Sequence, residues 1–251
     1  MNIAITHATV TFSSNDGEAL IAVGPISFEV EAGSFVALLG PSGSGKSTLI
    51  RAIAGLQPLS RGQITIGHEI IRDPHDSISM MFQDATLMPW RSVHDNIGLA
   101  LEMTDLPKAQ RDLAVRNILP LLGLEAFGGA YPSELSGGMA QRVALGRALI
   151  QHPEILLLDE PFGALDALTR ETISMDLLRI WVQYQQTIIM VTHDINEAVL
   201  MSDRVIVLSQ RPGRIIADID IPLERPRNIE MTYTQEFVEI ARNVRSAIDR
   251  A

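Results

Sequence analysis

Residues 40–48 have the sequence GPSGSGKST; the apolar run SFVALL precedes them and LIRAIAGL follows them. The first run predicts a short buried strand, and the apolar spacing of the second predicts a helix. Glycines in the pattern G-x-x-x-x-G-K-[ST] let backbone N–H groups face phosphate oxygens at a helix N-terminus. A glycine turn with a chance Lys-Ser after it is the alternative, but the flanking strand and helix favour a phosphate-binding loop. We expect this loop to consist of Gly40, Pro41, Ser42, Gly43, Ser44, Gly45, Lys46, Ser47 and Thr48.

A second apolar run, EILLLDE at residues 154–160, ends in two carboxylates. A continuous apolar run is typical of a parallel strand buried on both faces, where adjacent acids cost free energy unless a cation or a reaction uses them. We expect Asp159 and the Ser47 hydroxyl to bind Mg²⁺, and Lys46 to reach the β- and γ-phosphates. Glu160 is expected to accept a proton from the water that attacks the γ-phosphate. A solvated Asp-Glu pair at the start of a loop is the alternative.

Two other predicted strands also end in polar side chains. DSISMMFQD (76–84) ends near Gln83, and TIIMVTHD (187–194) ends near His193. Ligands of open α/β sheets bind beyond the carboxyl ends of the strands. We therefore expect His193 to contact the γ-phosphate and Gln83 to coordinate Mg²⁺ or orient the attacking water, although an isolated His or Gln is more often structural.

Two positions outside these strands are also candidates for contact with a nucleotide. Ser136, Gly137 and Gly138 precede a strongly helical run, which predicts a second helix N-terminus open to an anion. An N-cap serine followed by flexible glycines is the alternative. Phe12 ends an alternating strand and is placed either to stack on a nucleobase or to pack in the core.

Composition excludes several classes of protein. The 251 residues carry a net charge of −10 and include no cysteine, so neither a disulfide framework nor a thiolate metal site is expected. The acidic balance argues against wrapping nucleic acid. We expect no signal peptide in MNIAITHATVTF, and no run reaches the ~18–20 apolar residues that span a bilayer. The mean hydropathy of +0.16 nevertheless predicts a face that binds a partner.

Together the motifs resemble the ATP-binding subunit of an ABC transporter over essentially the whole chain. LMPWRSVHDNI (87–97) and SQRPGRI (209–215) are further similar to the nitrate, sulfonate and taurine importers. Ala140 and Ser34 depart from the usual pattern at positions outside the inferred chemistry. The matching motifs are Walker A (40–48), the Q-loop Gln83, the signature LSGGMAQR (135–142), Walker B ILLLDE (155–160), the D-loop ALD (164–166) with Asp166, and the switch His193.

The resemblance implies an α/β fold with a P-loop NTPase core, a mainly parallel sheet, an N-terminal antiparallel β subdomain and a helical insertion. We expect a single domain, in which residues 1–83 and 151–225 form the nucleotide-binding core. Residues 84–150 would form the helical subdomain, with Leu113, Ile118 and Leu121 in its core. An amphipathic helix would close the chain within residues 226–251.

The resemblance also implies an ATPase that uses ATP and Mg²⁺ and stacks adenine on Phe12. Two copies would pair head to tail, so that Ser136, Gly137 and Gly138 of one cover the ATP of the other. The pair would lie peripherally on the cytoplasmic face of the cell membrane, with permease subunits as direct partners and a solute-binding protein as an indirect one. We expect a surface near Gln83 and Trp90 to contact the permease; packing within the protein is the alternative for Trp90. The alternatives are a soluble ATPase acting on nucleic acid or ribosomes, and a nucleotide-binding regulatory module without turnover. The acidic composition disfavours the first, and the presence of both Glu160 and His193 disfavours the second.

Overall fold

The protein is described by a computed structural model that covers residues 1–13, 19–163 and 165–250. The apolar and alternating runs of the sequence form its strands, and the segments with helical spacing form its helices. In chain order the strands are β1 (Ile3–Ser13), β2 (Ala19–Val30), β3 (Phe35–Leu39), β4 (Arg61–Ile66), β5 (Glu69–Ile70), β6 (Ile78–Met81), β7 (Ile155–Asp159), β8 (Thr187–Thr192), β9 (Arg204–Leu208) and β10 (Ile215–Asp220). The helices are α1 (Lys46–Ile53), α2 (Val93–Gly98), α3 (Lys108–Ile118), α4 (Gly137–Leu149), α5 (Ala167–Tyr184), α6 (Ile195–Met201) and α7 (Gln235–Ile248), with 3₁₀ turns at Leu99–Leu101, Pro120–Leu122, Glu125–Phe127, Pro132–Glu134 and Ile229–Tyr233.

Two sheets organise the described residues. The central sheet has the strand order β10-β9-β3-β8-β7-β6, and only β10 runs antiparallel to its neighbour. The second sheet, β2-β1-β4-β5, is antiparallel throughout. The predicted α/β class is confirmed: a mainly parallel sheet is joined by an N-terminal antiparallel sheet and a helical segment.

Both faces of the central sheet are covered, which is why its strands are continuously apolar. Every residue of β3, β7 and β8 is buried. Alternate side chains of β3 enter different cores: Val36 and Leu38 pack with α1 and the antiparallel sheet, whereas Phe35, Ala37 and Leu39 pack with the remaining helices. Because β3, β8 and β7 pair in parallel, their carboxyl ends lie at one edge of the sheet.

The helical segment between β6 and β7 is built from α2, α3 and α4, and α2 packs against both of the others. Ile118 is buried in its core, as expected. The expectation for Leu113 and Leu121 is wrong, because 55% and 38% of these side chains remain exposed. Only one face of α3 meets the core, since its buried residues are Val115 and Ile118.

The closing segment is anchored by a buried arginine. Arg227 is 7% exposed and donates hydrogen bonds to five backbone carbonyls, including that of Ser202 at 2.6 Å. Burial lowers the pKa of Arg227 to about 10. Beyond it α7 buries Phe237 and Val244 and packs on α6 and β9. Among the helices of the described residues, none is both long and apolar enough to cross a bilayer.

Candidate functional site

The phosphate-binding loop connects β3 to α1 and is shaped by glycines. Gly45 adopts a φ of +90° immediately before α1, and a Cβ there would lie 2.3 Å from Val23 Cγ2. The predicted loop therefore lies where a parallel strand leads into a helix N-terminus. Lys46 is 5% exposed, and its ammonium donates to the carbonyls of Gly40 at 2.8 Å and Pro41 at 2.9 Å.

The position of Lys46 has a chemical consequence. Burial lowers the pKa of its ammonium, while the nearby carboxylates of Glu160 and Asp159 act in the opposite direction. In this arrangement the loop itself holds the ammonium through two backbone carbonyls, at the place where phosphate is expected to bind.

The turn between β9 and β10 supports the loop from behind. Gly213 accepts a hydrogen bond from the Gly24 N–H at 2.9 Å and donates one to the Ala22 carbonyl at 3.1 Å. A Cβ on Gly213 would lie 2.0 Å from the carbonyl oxygen of Ser44, a fully buried residue of the loop. Only glycine allows this approach. The turn and the β2 backbone therefore determine the position of the phosphate-binding loop.

Ser47 and Asp159 meet where β7 ends beneath α1. The Ser47 hydroxyl donates to Asp159 Oδ1 at 2.8 Å. Asp159 is 1% exposed, its Oδ2 accepts no hydrogen bond, and the nearest cation, Arg51, is 3.8 Å from that oxygen. Burial raises the pKa of Asp159. A buried carboxylate oxygen without a partner, next to a hydroxyl, suits a hard cation such as Mg²⁺.

Mg²⁺ takes most of its ligands from water and phosphate, so it does not require a cage of protein side chains. Consistent with this, the described residues contain no group of three or more His, Asp or Glu side chains that could hold a metal ion. The donor set formed by Ser47 and Asp159 therefore fits the predicted ion.

The three residues expected to act on the γ-phosphate converge. Glu160 Oε2 lies 3.4 Å from the Gln83 amide nitrogen and 3.3 Å from His193 Nδ1. Glu160 has a φ of +47°, a left-handed conformation that costs a non-glycine residue about 1–3 kcal/mol. This turn directs the carboxylate out of the sheet edge and towards the phosphate loop.

A cleft of about 360 Å³ runs from the phosphate loop to the antiparallel sheet. Lys46, Ser47, Gln83 and Glu160 line one part of it, and Phe12 lies among the other lining residues with 40% of its surface exposed. The exposure of Phe12 favours the stacking role over the core role. The remaining lining residues are Leu20, Ala22, Ser42, Gly43, Gly45, Thr48 and Arg211.

Other predicted contacts do not line this cleft. Ser136 caps α4, with its Oγ accepting from the Met139 N–H at 3.3 Å, and a Cβ on Gly137 would meet nothing within 4 Å. Gly138 instead faces α5, since a Cβ there would lie 2.5 Å from Thr169 Cγ2. The N-terminus of α4 is therefore exposed, but it lies on a different surface from the cleft that the phosphate loop lines.

The predicted D-loop begins at Ala164, which lies outside the described residues, and ends at Asp166. Asp166 caps α5, accepting from the Thr169 N–H at 3.1 Å, and this hydrogen bonding lowers its pKa. Arg170 donates to the Leu165 carbonyl at 3.0 Å and lies 3.4 Å from Asp194, the residue after the predicted switch His193. The segments that contain Asp166 and His193 are thus joined by one side chain.

Sequence reasoning missed three site residues. Arg211 lies in the stretch SQRPGRI (209–215), which predicts no nucleotide contact. In the structure it lines the cleft, with its guanidinium 3.9 Å from where a Cβ on Gly43 would lie. Gln141 lies within the signature LSGGMAQR without a predicted role of its own, and Arg170 belongs to no motif. In the structure Gln141 donates to the Gln83 carbonyl and Arg170 to the Leu165 carbonyl. A pattern of helical spacing gives no signal for such contacts, which depend on tertiary structure.

Comparison with known proteins agrees with this geometry. The family described as "ABC transporter" matches residues 23–163. The taurine import ATP-binding protein TauB of Rhizobium johnstonii is 40% identical over 253 residues, which cover 98% of this chain and 96% of the relative. The aliphatic sulfonates import ATP-binding protein SsuB of Bacillus cereus is 42% identical over 244 residues, covering 97% and 94%.

A solved structure carries the same fold. The ATP-binding cassette MJ0796, in a dimeric post-hydrolysis state bound to ADP and Pi, has a TM-score of 0.78 and 29% identity, covering 88% of this chain and 100% of that chain. Neither relative named above is associated with nucleic acid or ribosomes, so the alternative function gains no support. The chain belongs to the ABC transporter family, as an ATP-binding subunit that hydrolyses ATP.

Proposed function

We propose that this ATPase powers an importer of a small anion or organic solute such as taurine, a sulfonate or nitrate. The observation that carries the proposal is the separation of two half-sites in one chain. The phosphate loop and Glu160 line the cleft, whereas the exposed N-terminus of α4 at Ser136 lies outside it. The solute class is supported by two relatives named as taurine and aliphatic sulfonates import proteins, and by the two stretches that resemble the nitrate, sulfonate and taurine importers.

We assign the chemistry to residues at the sheet edge. Lys46 and the loop N–H groups bind the β- and γ-phosphates, and Phe12 stacks on adenine. Glu160 accepts the proton of a water that Gln83 and His193 orient. The water oxygen bonds to the γ-phosphorus while the bond between that phosphorus and the β–γ bridging oxygen breaks. The products are ADP and phosphate.

Magnesium completes this assignment. Ser47 and Asp159, with Gln83 beside them, would hold Mg²⁺, which supplies charge neutralisation for the phosphates. The chain's own contribution is the hydrogen bond from Ser47 to Asp159, which keeps the carboxylate in place before the ion arrives.

A second copy completes the ATP site in this proposal. Ser136, Gly137 and Gly138 of one copy would cover the ATP held by the phosphate loop of the other, as a head-to-tail pair. The cassette MJ0796 is dimeric in its post-hydrolysis state, which supports the pairing. Closure would exclude water and strengthen the contacts to phosphate.

The contact with the permease is proposed at the loop before α2. Trp90 is 71% exposed, although the loop around it is held firmly. The fully buried Asn96 donates to the carbonyls of Met88 at 3.2 Å and Arg91 at 3.0 Å, and accepts from the Met88 N–H at 2.8 Å. A large apolar side chain on a fixed loop suits a protein partner. In this proposal, residues 84–150 form the helical subdomain, and residues 1–83 and 151–225 form the nucleotide-binding core. The pair lies on the cytoplasmic face of the membrane.

Reconstitution tests the proposal. The chain is incorporated into proteoliposomes with its permease and solute-binding protein, and ATP turnover is measured with taurine, an alkanesulfonate or nitrate. One of these solutes should stimulate turnover. Because import delivers solute to the face that carries the ATPase, that solute should accumulate inside vesicles that hold the chain and ATP in their lumen, with the solute-binding protein outside.

A surface variant separates transport from hydrolysis. Trp90→Ala should keep the basal turnover but lose transport, whereas Met103→Ala, at a residue 92% exposed in the same segment, should retain both. Stimulation by none of the three solutes would refute the solute class, and normal transport by Trp90→Ala would refute the contact.

A further inference from the structure

A buried glutamine of α4 contacts the backbone of the Q-loop. Gln141 is 5% exposed, and its amide nitrogen donates to the carbonyl of Gln83 at 2.9 Å. Its amide oxygen is buried and accepts no hydrogen bond within the described residues. A buried amide with one unsatisfied atom costs free energy compared with an apolar side chain of similar size. The contact with Gln83 is therefore difficult to explain as a source of stability.

A second side chain of the same helix holds the residues that follow. Arg147 donates to the carbonyl of Ala85 at 2.8 Å and to that of Thr86 at 3.1 Å. Thr86 has a φ of +44°, in the left-handed region that a threonine rarely adopts. Helix α4 thus holds the loop from Gln83 to Thr86 in a defined conformation through two side chains.

Gln83 lies between two parts of the ATP machinery. Its side chain points at Glu160, 3.4 Å away, while its carbonyl is held by Gln141. Gln141 lies five residues after Ser136 on a helix that rises 1.5 Å per residue, so the two are about 7.5 Å apart along the axis. The side chain that holds the Gln83 carbonyl therefore lies within about two helical turns of the α4 N-terminus.

We propose that Gln141 is a positioning residue that sets the side chain of Gln83 against Glu160 according to the position of α4. Contact between Ser136 and the ATP of a second copy would then align the Q-loop of the same chain, so that hydrolysis starts only after α4 has docked. This inference rests on the proposed role of Gln83 in orienting the attacking water.

The test compares Gln141→Leu, Gln83→Ala and the double variant, using the full chain. Gln151→Leu is the matched control, because Gln151 also donates its amide to a backbone carbonyl, that of Ala100 at 2.7 Å, away from the Q-loop. Steady-state turnover, ATP affinity by titration calorimetry and unfolding in urea are measured for each protein.

Gln141→Leu should lower kcat by about fivefold or more, the value of one lost positioning hydrogen bond. Its KM and its ATP affinity should equal those of the parent, because the phosphate loop is untouched. Its resistance to urea should equal or exceed that of the parent, because the substitution removes a buried amide with an unsatisfied atom. Gln83→Ala should also lower kcat, and Gln141→Leu should add nothing in that background. Gln151→Leu should match the parent.

Other outcomes distinguish the proposed role of Gln83 in hydrolysis from the inferred role of Gln141 in positioning it. If Gln83→Ala leaves kcat unchanged, the role of Gln83 fails and the inference fails with it. If Gln83→Ala lowers kcat but Gln141→Leu either has no effect or lowers kcat further in the double variant, Gln141 does not act through Gln83. A loss of stability and ATP affinity in Gln141→Leu would show a structural role and overturn the inference.

Discussion

Replacing Gly213 by alanine tests whether the turn between β9 and β10 sets the shape of the phosphate loop. A Cβ there would lie 2.0 Å from the Ser44 carbonyl oxygen, and ordinary contact begins at 3.4 Å. Either the loop or the turn must therefore move by about 1.4 Å. The turn cannot move freely because its backbone is hydrogen-bonded to Ala22 and Gly24 of β2.

Two magnitudes follow from this displacement. Overpacking a close-packed site costs about 1–3 kcal/mol of unfolding free energy, which for a chain of this size lowers the Tm by roughly 2–4 °C per kcal/mol. A shift of about 1 Å in a group that positions substrate can cost on the order of 10²-fold in rate. We therefore expect Gly213→Ala to lose both stability and ATP turnover.

Thermal unfolding and steady-state ATP hydrolysis measure the two effects, with Gly129→Ala as the control. A Cβ on Gly129 would meet nothing within 4 Å, so this variant makes the same chemical change without the clash. If Gly213→Ala matched Gly129→Ala in Tm and turnover, the close approach to Ser44 would not control the loop.

Further predictions concern charge. Burial raises the pKa of Asp159 in the folded protein. The contribution of this carboxyl group to the free energy of unfolding is therefore fully present below its unfolded pKa of about 3.9, and it is lost as the pH rises through its folded pKa. Without nucleotide, Asp159→Asn should therefore unfold at a higher urea concentration than the parent at pH 7–8, and this difference in midpoint should shrink towards pH 4. With ATP, the variant should lack the extra stabilisation that Mg²⁺ gives the parent. A difference in midpoint that does not depend on pH would contradict the reasoning. Arg211→Ala should weaken ATP binding by about three- to tenfold in titration calorimetry, because it removes a cation from the rim of the cleft, while Arg214→Ala, in the same turn but outside the lining, should bind normally. Equal affinities of the two arginine variants would mean that Arg211 does not contact the nucleotide.

Residues whose role depends on local sequence could be predicted from the sequence. The glycines and Lys46 shape a strand-loop-helix unit that needs few long-range contacts. Asp159, Glu160 and His193 follow continuously apolar runs, and parallel strands bring their carboxyl ends to one edge. The structure places Glu160 3.3 Å from His193, although 33 positions separate them in the sequence.

Contacts set by tertiary structure could not be predicted in this way. The spacing in GGMAQRVALGRAL predicts a helix, but not that Gln141 reaches the Gln83 carbonyl. The turn RPGR reads as a simple connection, yet Gly213 and Arg211 touch the phosphate loop. Apolar character predicts a core position for Leu113, but among the described residues no element covers the outer face of α3.

Sedimentation of Glu160→Gln tests the account most directly, because slow hydrolysis should trap the ATP-bound state. Loss of a general base costs ~10²-fold or more in turnover while leaving the phosphate loop intact. Velocity runs with and without Mg-ATP compare Glu160→Gln alone with the same protein carrying Ser136→Arg or, as control, Ser133→Arg. Ser133 is an exposed serine just before the α4 N-terminus.

The account predicts an ATP-dependent dimer for Glu160→Gln and for the Ser133→Arg control. The Ser136→Arg protein should bind ATP yet remain a monomer, because its arginine blocks the surface that covers the ATP of the second copy. A dimer that forms equally well with Ser136→Arg would contradict the composite site, as would a Glu160→Gln protein that binds Mg-ATP and stays monomeric.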